Sequence, residues 1–204
     1  MNEKKPAKQP EIIKEQQDAY EYIDNTPDYS FIEERYEIIE GIRYDFLSSP
    51  SINHQVLVTE LSFFIRQSCQ TEGIIIVAPM DVHLDQNNIL QPDIIFISNE
   101  NTHIIRDQKI FGAPDLVIEI LSPSTSKNDK IRKKSQYANF GVKEYWIIDH
   151  FHHVIDQFML ANDKFILHAT YGLGDTLLSD KFPCISINLS RLFHSIKRFE
   201  KEEH

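Results

Sequence analysis

Residues 115–121 read Asp-Leu-Val-Ile-Glu-Ile-Leu, and the apolar run 116–121 within them contains one acidic residue, Glu119. A short, continuous aliphatic run rich in β-branched residues is typical of a strand covered on both faces of a sheet. An ionised carboxylate buried in such a strand is costly unless a partner compensates it. The stretch therefore predicts a central strand, and Glu119 is expected to be paired, hydrogen-bonded or bound to a metal ion.

A second acidic residue, Asp93, follows Pro92 and opens another apolar run, Ile94-Ile95-Phe96-Ile97. Proline is tolerated at the first residue of a strand, so a strand is predicted to begin here. Two acids on neighbouring strands can converge at one end of a sheet and bind a hard cation such as Mg²⁺ through oxygen. The residues alone leave an alternative open, in which Glu119 pairs with an arginine and Asp93 caps a turn.

Further strand and helix patterns flank these two runs. The predicted elements are a hairpin over 36–46, a helix from Ser51 to about Ser68 with Gly73 as its stop, strands over 74–83, 89–97 and 145–149, a helix over 127–139 capped within 124–126, a hairpin over 154–170, and a terminal helix over 189–199. This order predicts an α/β (α+β) fold built on a mixed central sheet.

One dense basic segment stands out in an acidic chain. The sequence has 31 acidic and 21 basic residues and a formal net charge of −10, so its surface as a whole does not attract nucleic acid. Five basic side chains lie within residues 127–134: Lys127, Lys130, Arg132, Lys133 and Lys134. On a helix, some of these could reach the acids while others contact phosphates, and the alternative is an ordinary solvated face.

The remaining composition bounds the location and the domain organisation. No apolar stretch approaches the length of a membrane span, and no secretory signal is recognised, so we expect a cytoplasmic protein with no membrane partner. Cys69 and Cys184 are far apart in sequence, and a disulfide or a thiolate zinc site is not expected. Residues 1–28 are predicted to be a polar, partly disordered segment, and residues 29–204 a single domain.

An ordered set of motifs over roughly residues 35–190 resembles the bacterial Uma-two family of restriction-type endonucleases, in the PD-(D/E)XK nuclease superfamily. The motifs are YEIIEG at 36–41, SPS at 49–51 with His54-Gln55, QPDI at 91–94, APDLVIEILSPST at 113–125, Lys133 to Tyr137, and GVKEYWIID at 141–149. The resemblance implies a restriction-endonuclease-like fold with a mixed central sheet flanked by helices and the catalytic acids on adjacent strands.

The resemblance also implies a role for each matching residue. Asp93 and Glu119 match the two strand acids that hold a divalent cation, Mg²⁺ or Mn²⁺, with the backbone carbonyl of Ile120 as a further ligand. The superfamily lysine two residues after the second acid is replaced here by Leu121. Lys133 on the following helix fits the role, with Lys130 and Lys134 as alternatives.

Two further positions recur in the family. The resemblance implies that Glu37 extends the metal shell and that His54 contacts substrate or orients a water, although a structural role suits both equally. Lys127, Lys130 and Lys134 are expected to contact the DNA backbone without reading bases. A homodimer is expected to suit a palindromic duplex, which has two strands to cut.

The expected function is therefore metal-dependent endonucleolytic hydrolysis of DNA, in which the cation activates a water and Lys133 assists. Two other classes remain open on the sequence. One is a catalytically inactive nuclease fold that binds DNA or a protein, which the loss of lysine at position 121 and the net negative charge favour. The other is a metal-dependent hydrolase of a small phosphorylated substrate.

Overall fold

The computed structural model describes residues 36–45, 49–122 and 128–199. In chain order the elements are β1 (Tyr36–Ile39), β2 (Ile42–Asp45), α1 (Ile52–Ser68), β3 (Gly73–Val77), β4 (Val82–His83), β5 (Ile89–Leu90), β6 (Ile94–Ser98), a 3₁₀ helix (Asn99–Ile104), β7 (Ile105–Arg106), β8 (Lys109–Phe111), β9 (Leu116–Ile120), a π-helical turn (Asn128–Lys133), α2 (Lys134–Asn139), β10 (Glu144–Asp149), β11 (Val154–Ala161), β12 (Lys164–Tyr171), β13 (Thr176–Leu178), β14 (Ser186–Asn188) and α3 (Leu189–Lys197). The predicted boundary between residues 28 and 29 lies outside these ranges.

The central sheet has six strands in the order β12-β11-β10-β9-β6-β3. Strand β9 runs parallel to β10 and antiparallel to β6, which makes the sheet mixed as the sequence predicts. All five residues of β9 are buried, because the sheet has a hydrophobic cluster on each face. The predicted fold class and the predicted central strand are both confirmed, and Glu119 is buried on that strand.

A second sheet, β2-β1-β5-β4-β8-β7, includes the predicted hairpin of β1 and β2. The turn residues Glu40 and Gly41 both have positive φ, 54° and 77°, which is the geometry of a tight two-residue hairpin turn. The strands β4, β5, β7 and β8 are two or three residues long. Such short strands carry no periodic pattern, so the sequence predicts the hairpin but not the sheet that contains it.

Helix α1 begins where the sequence predicts, because the Ser51 hydroxyl accepts a hydrogen bond from the His54 N–H at 3.3 Å. It ends at Ser68, and the predicted stop, Gly73, is instead the first residue of β3. A Cβ atom at Gly73 would collide with the carbonyl oxygen of Ile97 on β6. Glycine is present there because β3 and β6 approach closely, and the prediction that Gly73 stops α1 is wrong.

The predicted helix over 127–139 is present from residue 128, but its first part is a π-helical turn. Gly141 follows it with a φ of 86°, consistent with the glycine expected just after a helix. The predicted caps at 124–126 and Lys127 lie outside the described residues. The helix thus brings the basic segment across the sheet face that carries Glu119.

The two cysteines form a disulfide, contrary to the expectation from sequence. Cys69 lies at the end of α1, and Cys184 lies in the turn before β14. Their Cα atoms are 5.3 Å apart although 115 residues separate them in the chain. The separation of the two cysteines in the sequence does not indicate this proximity, because the proximity arises only when α1 packs beside β14.

An ion pair between the buried Asp115 and the exposed Lys143 lies at the end of β9 opposite Glu119. The Asp115 carboxylate accepts hydrogen bonds from Lys143 Nζ at 2.6 Å, from the Ser98 N–H at 2.8 Å and from Asn101 Nδ2 at 3.0 Å. Burial by itself raises the pKa of Asp115, but these hydrogen bonds, led by that of Lys143, lower the pKa below its usual value on balance. The carboxylate is therefore ionised in the folded protein and ties β6 to β9.

Replacing Asp115 with Asn is expected to lower the free energy of unfolding at pH 7 by roughly 1–3 kcal/mol. Because the pKa in the folded state is depressed, the carboxylate stabilises the fold above the unfolded-state pKa near 3.8, and this contribution is lost as the pH falls through the lower folded-state value. Urea unfolding of both proteins at pH 7 and pH 3 checks this. A difference in stability that is equal at the two pH values would contradict it.

No helix within the described ranges is long and apolar enough to span a membrane.

Candidate active site

The two acids predicted to act together lie at the same end of the central sheet. Strands β6 and β9 pair with Ile94 opposite Ile118, so one step further along the ladder places Asp93 across from Glu119. The Asp93 Oδ2 atom accepts the backbone N–H of Ile120 at 2.8 Å. Asp93 thus accepts a hydrogen bond from the residue that follows Glu119, so the two acids lie at the same end of the sheet.

Glu119 is buried and engaged by two donors from the helical segment. The Tyr137 hydroxyl donates to Glu119 Oε1 at 2.9 Å, and Lys133 Nζ approaches the same oxygen at 3.3 Å. Residues 133 and 137 are one helical turn apart, which places both side chains on the face that covers the sheet. The expected compensation of the buried charge is therefore present, with a lysine and a tyrosine rather than an arginine.

Lys133 bridges two carboxylates. Its Nζ lies 2.8 Å from Glu37 Oε1 and 3.3 Å from Glu119 Oε1, and its side chain is 3% exposed. Among Lys130, Lys133 and Lys134, Lys133 is the lysine that contacts the acids in the part of the chain that the structure describes. Position 121, where the superfamily has its lysine, holds a buried leucine. The helix supplies the ammonium group that the strand lacks.

Glu37 connects the hairpin to the site. It lies on β1, is buried, and its Oε1 also accepts the backbone N–H of Gln91 at 2.8 Å. Gln91 is two residues before Asp93, so Glu37 contacts both the helical lysine and the loop that carries the first acid. The second sheet therefore provides one wall of the site.

His54 lies on the first turn of α1 and contacts Asp93. Its Nε2 is 3.1 Å from Asp93 Oδ2, which is hydrogen-bonding distance. The Nδ1 atom is buried and has no hydrogen-bond partner within the described ranges. Asp93 Oδ2 is held by His54 on one side and by the Ile120 N–H on the other.

The charge balance of this cluster favours a cation. Three carboxylates, of Glu37, Asp93 and Glu119, and one ammonium, of Lys133, carry a formal net charge of −2 when His54 is neutral. Burial raises the pKa of Tyr137 well above its usual value, and the negative charges of Glu119 and Glu37 raise it further. The phenol therefore keeps its proton and remains a donor to Glu119.

The oxygen ligands available at the site suit a divalent cation that keeps several water molecules in its coordination shell. Carboxylates and the carbonyl of Ile120 are oxygen ligands, the class that Mg²⁺ prefers. Within the described residues no group of three or more histidine, cysteine or acidic side chains is arranged to hold a metal ion by itself. Mg²⁺ is commonly bound by only one or two carboxylates together with water and substrate phosphate, so two acids suffice.

The lysines predicted to contact DNA have different surroundings. Lys127 lies outside the described residues, and Lys130 lies in the π-helical turn. The Lys134 ammonium lies 3.3 Å from the centre of the Phe158 ring on β11. Burial lowers the pKa of Lys134, and the charge of Asp156 offsets this only in part. Lys134 thus packs on the sheet rather than extending into solvent.

Sequence reasoning missed the contact of Tyr137 with Glu119. The signal in the sequence is that Tyr137 lies four residues after Lys133 on a helix, a spacing that brings both side chains to the same face. A hydrogen bond from Gln136 Nε2 to Glu40 Oε1 at 2.9 Å, which ties the helix to the hairpin turn, has no comparable signal in the sequence.

Comparison with known proteins identifies a matching family and a similar fold. The family model Uma2, described as "Putative restriction endonuclease", matches residues 26–190. A crystal structure of a "putative nuclease belonging to DUF820" from Anabaena variabilis is similar, with a TM-score of 0.67 at 17% identity, over 87% of this chain and 97% of that one. No curated protein matches the sequence. The family match confirms the resemblance found in the motifs, and the structural match confirms the fold.

Proposed function

The chain belongs to the Uma2 family, and from this we propose that it is a divalent-cation-dependent endonuclease that hydrolyses phosphodiester bonds of DNA. One observation carries the proposal. Asp93, immediately before β6, and Glu119, on the adjacent strand β9, lie at one end of the sheet, where the ammonium group of Lys133 contacts Glu119 at 3.3 Å. Carboxylates with a nearby cationic side chain are the groups that phosphodiester hydrolysis requires.

Asp93, Glu119 and the carbonyl of Ile120 would hold the cation, Mg²⁺ or Mn²⁺. When bound, the cation would supply a Lewis acid for the phosphate oxygens and increase the acidity of a water molecule. The protein's own contribution is orientation. His54 and the Ile120 N–H hold one oxygen of Asp93, and Tyr137 and Lys133 hold one oxygen of Glu119, so neither carboxylate needs to reorganise.

Lys133 has a second task in this proposal. Its ammonium group lies between Glu37 and Glu119 and can stabilise negative charge that develops on the phosphate. Glu37 keeps this group in place, because its Oε1 atom is 2.8 Å from Nζ. We assign Glu37 to positioning Lys133 and to the outer part of the metal shell, and His54 to orienting Asp93 or a water next to it.

Three finer points belong to the same proposal. Lys127 and Lys130 would contact the DNA backbone, whereas the cation–π contact of Lys134 with Phe158 favours a packing role for that residue.

A homodimer would place two sites on a duplex. The proposed location is cytoplasmic, where disulfides are uncommon, so the redox state of Cys69 and Cys184 in cells bears directly on it.

The wild-type protein is expected to cleave DNA with Mg²⁺ or Mn²⁺, and the Asp93→Ala variant is expected not to. Without Asp93 the cation loses a carboxylate ligand, and His54 and the Ile120 N–H lose their acceptor. Plasmid and short single- and double-stranded DNA, incubated with either protein with metal or with EDTA, provide the measurement.

Equal cleavage by wild type and variant would remove Asp93 from the site. Absence of cleavage by a well-folded wild type, over varied substrates and both metals, would contradict the nuclease proposal. Salt-dependent DNA binding without cleavage would then indicate a binding module. Negligible salt dependence would direct attention to a small phosphorylated substrate.

A further inference from the structure

An exposed arginine is stacked on a tyrosine at the edge of the site. The guanidinium carbon of Arg132 lies 4.9 Å from the centre of the Tyr44 ring. Arg132 is exposed, whereas Tyr44 is half-buried on β2. The ring restricts the arginine to few conformations while the side chain stays exposed, so less entropy is lost when an anion binds.

Strand register places this pair on the face of the hairpin that carries Glu37. Tyr44 is the direct partner of Glu37 across β1 and β2, and side chains of directly opposed residues lie on the same face. Glu37 contacts Lys133, the residue that follows Arg132 in the chain. Two independent connections, through the hairpin and through the helical turn, therefore put the Arg132–Tyr44 pair beside the acids.

The positive charge of Arg132 would favour the approach of a phosphate to the site. The whole chain has a formal net charge of −10, so a phosphate approaching the site meets repulsion. An arginine at the rim offsets part of this repulsion and can donate two parallel N–H bonds to one phosphate. Lys133 itself is 3% exposed and already contacts two carboxylates, so it cannot serve as the outer contact.

We propose that Arg132, held on the ring of Tyr44, binds a backbone phosphate of the DNA strand next to the scissile bond. This inference rests on the proposed nuclease function and adds to it a substrate contact on the hairpin side of the site. Tyr44 is a positioning residue, because it acts through Arg132.

The same hairpin offers a matched control. Arg43 lies over the ring of Tyr36 with its guanidinium carbon 4.2 Å from the ring centre, and its Nε contacts Asp45 at 2.7 Å. Residues alternate between faces along a strand, so Arg43 and Tyr36 lie on the face opposite Tyr44 and Glu37. Arg43→Ala and Arg132→Ala therefore remove the same charge and the same kind of stack from opposite faces.

The test measures binding of a short fluorescent duplex with Ca²⁺ in place of Mg²⁺, between about 50 and 200 mM salt. Arg132→Ala is expected to weaken binding roughly tenfold at low salt and to reduce the slope of log K against log salt by about 0.9, the value for one phosphate. Tyr44→Phe keeps an aromatic face and is expected to bind DNA as the wild type does. Tyr44→Ala is expected to lose part of the affinity that Arg132→Ala loses. Arg43→Ala is expected to keep the wild-type slope, and thermal melting confirms that each variant is folded.

An unchanged slope for Arg132→Ala, or equal losses for Arg132→Ala and Arg43→Ala, would overturn the inference while the nuclease proposal stands on its cleavage assay. A well-folded wild type that fails to bind DNA at any salt would overturn both.

Discussion

Replacing Glu119 with Gln is expected to lower the rate of Mg²⁺-dependent DNA cleavage by more than about 100-fold. Loss of a group that merely supports a metal ligand typically costs about 10- to 100-fold, and Glu119 is proposed as a ligand itself. The amide has nearly the same shape, but it lacks the charge that a cation requires. Tyr137 and Lys133 would also lose the carboxylate they both contact.

The matched control is Glu100→Gln, the same chemical change at an exposed residue of the 3₁₀ helix after β6. It is expected to cleave as the wild type does. Initial rates across Mg²⁺ concentrations, together with melting temperatures, separate loss of chemistry from loss of fold. A well-folded Glu119→Gln protein that retains wild-type activity would exclude Glu119 from the reaction and leave it as a structural acid.

Replacing Cys184 with Ser is expected to lower the free energy of unfolding by about 2–4 kcal/mol. The bond joins residues 115 positions apart, and such a link restricts the unfolded chain more than one that closes a short loop. For a protein of this size the melting temperature is expected to fall by about 5–15 °C. The disulfide holds the end of α1, the helix whose first turn carries His54, so cleavage should also become more sensitive to temperature.

A reducing agent provides the comparison for this variant. It is expected to destabilise the wild type by a similar amount and to leave Cys184→Ser unchanged, because no bond remains to be reduced. Mass spectrometry after alkylation of thiols reports whether the bond is present in the purified protein. Two alkylated cysteines in an unreduced wild type, or a melting temperature insensitive to reduction, would contradict the prediction.

The two acids of the site could be predicted because short residue patterns indicate whether a side chain is buried. A carboxylate inside an apolar strand demands compensation wherever that strand lies, so Glu119 could be singled out from residues 115–121 alone. Asp93 could be singled out in the same way, as an acid at the start of a buried run. The sequence does not distinguish among Lys130, Lys133 and Lys134, because each is within about a turn of the others and only the orientation of the helix decides which one reaches the acids.

The sequence by itself determined the mixed central sheet, the hairpin of β1 and β2, the cap of α1 and the acids at one end of the sheet, since each depends on periodicity or composition over a few residues. Only the tertiary structure decided that Cys69 and Cys184 are bonded, that Gly73 serves strand pairing, and that Lys133 joins Glu37 to Glu119. Each of these contacts joins residues from separate elements. Their proximity is set by how whole helices and strands pack together, which no local pattern encodes.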